Sequence, residues 1–94
     1  MKMDMKKVFQ FRDGVYFFAF EEHSFVIDTA TCLLYDLGLS SALISGQFEG
    51  RQSLAEIVDV VKQYYLVSSS VATEAVVKFV KMMEERDLIE AINC

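Results

Sequence analysis

The apolar residues of this chain follow a strand-like alternation up to Asp36 and a helical spacing beyond it, and that change of period constrains the fold most. Val8, Phe9 and Phe11 lead into Arg12-Asp13-Gly14, whose Asp-Gly pair signals a turn. Val15 to Phe20 is rich in β-formers, Glu21-Glu22-His23 is a polar break, and Ser24 to Asp28 reads as the next strand. Thr29-Ala30-Thr31 makes a short loop before a third strand, Cys32 to Asp36. Such short connections predict a small antiparallel meander. Past it, Asp36 or Ser40 caps a short helix running to about Phe48, which Glu49-Gly50 ends. Ser53-Leu54-Ala55-Glu56 is a capping box, and the helix it opens carries the stripe Leu54, Ile57, Val58, Val61 and Tyr65. Ser69 or Ser70 caps a longer helix to about Arg86, with Asp87 expected in the left-handed conformation at its end. Three strands followed by three helices predict an α+β domain.

Composition narrows the function classes. At 94 residues and 53% apolar content the chain suits one core, so residues 1–94 are expected to form a single domain. Residues 1–7 are charged and read as a flexible N-terminal segment rather than a signal peptide. No apolar run approaches the roughly 18 residues of a membrane span, so no membrane partner is expected. Cys32 and Cys94 are far apart and belong to no CxxC, and His23 is the single imidazole. No metal site follows from them; two reduced thiols in a cytoplasmic protein do. His23 stands in a turn, Cys32 has no neighbour that would lower its pKa, and Glu84 and Glu85 fit a solvated face. With no glycine-rich phosphate loop either, neither catalysis nor a cofactor is expected. The net charge of −5 opposes a sequence-independent grip on nucleic acid. Three helices with strands also suggest a winged-helix DNA reader, but Lys78, Lys81 and Arg86 are opposed by Glu74, Glu84, Glu85 and Asp87. That surface is neutral or acidic, and a nucleic-acid partner is not expected.

The third helix is the most informative segment. Val71, Ala72, Ala75, Val76, Phe79, Val80, Met82 and Met83 cover about half its circumference at about 100° per residue. Either the sheet wraps the helix deeply, or one flank faces the core and another faces a partner. A three-stranded sheet also has edges that can accept a further strand. With this helix beside the last strand, Val77, Val80 and Met82 or Met83 would offer pockets along that edge. Lys78 and Lys81, one helical turn apart with Glu74, would pair with acidic side chains of a peptide. A competing reading is an assembly subunit that forms a homodimer through the same edge.

The stretch from Phe25 to Glu90 resembles the PqqD-like family, the RiPP recognition elements. The carrying residues are Phe25-Val26-Ile27-Asp28, Leu33-Leu34-Tyr35-Asp36-Leu37, Gly50, Ser53-Leu54-Ala55-Glu56-Ile57-Val58, Tyr65-Leu66-Val67 and Leu88-Ile89. The chain departs from the family in having Asp36 where asparagine is usual and Asp87 where glycine is usual. The resemblance implies a winged-helix-turn-helix-like fold without catalytic activity. It implies a peptide chaperone that binds the leader of a ribosomally synthesised precursor peptide by strand addition. The leader would be presented to a maturation enzyme, for example a radical S-adenosylmethionine enzyme. Carried onto this chain, the binding positions are Cys32, Leu33, Leu34, Tyr35 and Asp36, with the flank of the third helix between residues 74 and 83.

Overall fold

The computed structural model describes residues 4–20 and 23–92; Glu21, Glu22 and Cys94 of the sequence reading lie outside the described residues. The elements are β1 (Phe9–Phe11), β2 (Val15–Phe20), β3 (His23–Asp28), β4 (Leu33–Asp36), α1 (Gly38–Phe48), α2 (Leu54–Tyr65), α3 (Ser69–Glu85) and β5 (Ile89–Ala91). β2, β3 and β4 form the expected antiparallel meander, and three helices follow it. The class is α+β.

The lead-in to the meander has a different fate from a hairpin strand. β1 joins a second sheet and pairs antiparallel with β5, Phe9 opposite Ala91 and Phe11 opposite Ile89. Burial accounts for the exchange, because Phe9 and Ile89 are 1% and 4% exposed and share one core. The Asp13-Gly14 turn therefore links two sheets. Gly14 has φ +83°, and a Cβ there would meet the Thr29 hydroxyl at 2.9 Å, so both conformation and space call for glycine.

Residues 4–7 are not a loose segment. The carbonyls of Lys7 and Met5 accept the Leu54 and Ala55 N–H groups at 3.0 and 2.9 Å. These are donors that the first turn of α2 cannot satisfy internally. The capping box is present as expected: Ser53 Oγ accepts the Glu56 N–H at 3.2 Å and Glu56 Oε1 accepts the Ser53 N–H at 2.9 Å. That backbone hydrogen bond from Ser53, with help from its hydroxyl, holds the Glu56 carboxyl below its ordinary value of 4.5. Leu54, Ile57, Val58 and Val61 face the core, whereas Tyr65 is 41% exposed at the end of the stripe. Leu66 closes α2 in the left-handed conformation, φ +55°, and is 88% exposed.

The other helix starts lie elsewhere than expected. The N-cap of α1 is Leu37, without a side-chain cap, rather than Asp36 or Ser40. The Leu37 N–H donates to the Ser24 carbonyl at 2.8 Å, so the chain stays tied to β3 until the helix begins. The N-cap of α3 is Ser68 rather than Ser69 or Ser70, its hydroxyl accepting the Val71 N–H at 3.2 Å. Asp87 has φ +56°, as expected of the residue that ends the helix.

Candidate functional site

Among the described residues β4 pairs with β3 alone, which leaves one side of the strand as an edge of the sheet. Pairing of Val26 with Tyr35 and of Ile27 with Leu34 sets the register. The Leu37 N–H to Ser24 bond fixes the phase, since hydrogen-bonded pairs alternate in an antiparallel ladder. Leu33, Tyr35 and Leu37 thus direct their backbone groups to β3, and Leu34 directs its N–H and C=O outward. Side chains alternate in the same way. Tyr35 shares the inner face with Val26, which is fully buried, whereas Leu34, 57% exposed, shares the outer face with Ile27 and Tyr16.

The edge borders a cleft of 240 Å³. Leu34, Tyr35, Asp36 and Leu37 line it on the strand side, and Met82, Arg86 and Leu88 line it on the helix side. Met82 on α3 and Arg86, the C-cap of that helix, are one helical turn apart, and Leu88, fully buried, anchors the floor. The Arg86 guanidinium carbon sits 5.3 Å from the centre of the Tyr35 ring, a cation–π contact worth about 0.5–1 kcal/mol where solvent reaches it. Arg86 keeps that place because α3 ends there, its own N–H bonded to the Met82 carbonyl at 3.2 Å. At the other side of the sheet, His23 Nδ1 lies 3.8 Å from Asp36 Oδ2. The cleft thus combines an outward-turned backbone, the apolar side chains of Leu37, Met82 and Leu88, and a guanidinium on its rim.

The structure brings together some expected site residues and separates others. Leu34, Tyr35, Asp36 and Met82 line the cleft. Leu33 is in β4, half exposed on the face of Tyr35. Cys32 precedes the strand instead of starting it: it is exposed, with φ +60°, in a turn where Asp28 Oδ1 accepts the Ala30 N–H. Val80 and Met83 are fully buried in the core, and neither lines the cleft. Val77 is half-buried about 140° around the helix from Met82, on the flank away from β4. Glu74 and Lys81 are exposed about 80–100° from Met82, opposite the core side. Lys78 is nearer to the cleft at about 40°, but its ammonium already lies 3.4 Å from Glu74 Oε1. Leu37, Arg86 and Leu88 were missed; the spacing of Arg86, four residues after Met82, was the available signal for the arginine.

Among the described residues no group of three or more histidine, cysteine, aspartate or glutamate side chains could hold a metal ion. No helix among them is long and apolar enough to cross a membrane.

The fold is similar to the solved structure of TbiB1 in complex with the TbiA(beta) leader peptide, with a TM-score of 0.81 at 18% identity over 90% of this chain and 99% of that one. No curated protein matches the chain. The family model described as coenzyme PQQ synthesis protein D, PqqD, matches residues 26–89, well over half of the sequence. By that match the chain belongs to the PqqD family.

Proposed function

We propose that this chain is a non-catalytic peptide chaperone that takes the leader of a ribosomally made precursor peptide as an added strand on β4 and holds it for a maturation enzyme. The observation that carries the reading is the outward-turned backbone of Leu34 beside the cleft walled by Met82 and Arg86. Strand addition gives affinity through main-chain hydrogen bonds and specificity through pockets for alternate side chains. Family membership supports the reading, and so does the likeness in fold to TbiB1, a protein solved with a leader peptide bound. A radical S-adenosylmethionine enzyme is one class of maturation enzyme that fits the role.

Ordering a disordered leader costs roughly 2–5 kcal/mol, so affinities on the order of micromolar are expected. The experiment is to pan a phage-displayed library of random 16-residue peptides against the chain and titrate the selected peptides into isotopically labelled protein. Amide shifts concentrated in residues 33–37 and 82–88 are expected. Failure to select any peptide, or largest shifts away from β4, refutes the reading.

A further inference from the structure

A second cavity of 370 Å³ lies along α3 from the cleft. Ile44, Val61, Tyr65, Val71, Ala75 and Phe79 are among the side chains that line it, and none of its lining residues is charged. Two helices join this cavity to the cleft. Leu37 lines the cleft and Ile44 the cavity, seven residues on in the chain; Ala75 lines the cavity and Met82 the cleft, again seven residues apart. On α3, Val71, Ala75 and Met82 fall within about 20° of one line, so one flank of that helix faces both sites. Seven residues of helix rise about 10 Å, and the further step to Val71 makes the span about 16 Å.

We infer that the cavity is a second anchor site for the same peptide, taking a large apolar side chain that follows or precedes the segment paired with β4. The inference rests on the strand-addition reading above. An extended chain advances about 3.3 Å per residue, so 10–16 Å corresponds to roughly three to five residues. Side chains of a strand share a face only at even spacing. The peptide therefore carries apolar residues at i and i+4, one over Met82 and Leu37 and the other in the cavity. The lack of charge in the lining excludes an acidic or basic anchor there, because an unpaired charge loses its hydration on burial.

The same random 16-residue library, panned in parallel against the wild-type chain and against Ala75→Trp, tests this. Ala75 is exposed, and an indole there fills the cavity from its rim. The expected result is an i, i+4 apolar pair on the wild type and loss of one member of the pair on the variant. The peptide selected on the wild type should bind Ala75→Trp about tenfold or more weakly, whereas the same peptide truncated before the second anchor should bind both proteins equally. Val71→Asp, at a position 54% exposed, provides a second variant with the same expected loss should the indole perturb folding. Equal affinity of full and truncated peptides for the wild type, or an unchanged consensus on both variants, overturns the second anchor and leaves strand addition standing. A change in sedimentation with no change in peptide preference assigns the cavity to a second copy and also overturns it. If the wild type selects no peptide at all, strand addition itself fails.

Discussion

Leu34→Pro separates strand addition from every mode of binding that uses only side chains. The Leu34 N–H points away from β3, so proline there removes no bond of the β3–β4 ladder. It does remove a donor that a peptide carbonyl would use. A net hydrogen bond contributes about 0.5–1.5 kcal/mol, and a carbonyl left unsatisfied costs about 1–3 kcal/mol. The expected loss is therefore about 1–3 kcal/mol, or roughly 5- to 150-fold in Kd. Because the Leu34 side chain is 57% exposed, stability should change by no more than about 1 kcal/mol, the order of a surface substitution. Leu34→Ala separates the lost side chain from the lost donor, and Tyr35→Pro, which deletes a group directed at β3, should disrupt the sheet. Isothermal titration with a library-selected peptide gives the affinities, and urea unfolding gives the stabilities. Should Leu34→Pro and Leu34→Ala bind with one Kd, the peptide is not paired with β4 at this residue.

Leu66→Gly removes a left-handed leucine with few contacts to lose, and should stabilise the fold by about 0.5–1 kcal/mol, read as a raised Tm. Ser45 is fully buried, and its hydroxyl has no partner among the described residues, so Ser45→Ala should be neutral or up to about 1 kcal/mol more stable in urea. The Glu56 carboxyl is lowered in the folded state, so its contribution is present above pH 4.5 and is lost as pH falls through the folded value. Glu56→Gln keeps an N3 amide for the box and should lack that part of the acid destabilisation, measured as the urea midpoint against pH. Leu88→Ala, at a fully buried position, should cost about 2–5 kcal/mol and weaken peptide binding by loosening the floor of the cleft.

What the sequence made legible was local. The Ser53–Glu56 box and the left-handed Asp87 depend on residues within one turn, and both are present. The meander was readable because its connections are short, although Cys32 belongs to the turn, where its positive φ takes it out of the strand. β5 was not readable: it has three residues, and its partners Phe9 to Phe11 stand about 80 positions away. The cleft was half readable for a related reason. A helical wheel gives the width of the apolar face of α3 but not which flank abuts β4, so Val80 and Met83 were offered to a ligand although the core takes them. Arg86 escaped because it stands at the end of a helix; its spacing from Met82 puts it on that flank, and the fold brings it over Tyr35.

The pairing of β1 with β5 has a kinetic consequence. It joins segments about 80 residues apart, a loop whose closure costs roughly 4 kcal/mol of chain entropy by (3/2)RT ln n, so it is expected to form late in folding. Arg86 and Leu88, which complete the cleft, sit just before β5, and the Leu88 carbonyl accepts the Arg12 N–H at 3.1 Å. On the ribosome β4 is therefore made long before its wall, and until the C-terminal residues emerge it is a bare edge of the kind that templates aggregation. Translational stalling or truncation before residue 86 should yield chains that self-associate through that edge, whereas a chain that includes residues 86–91 offers it only as one side of a walled cleft.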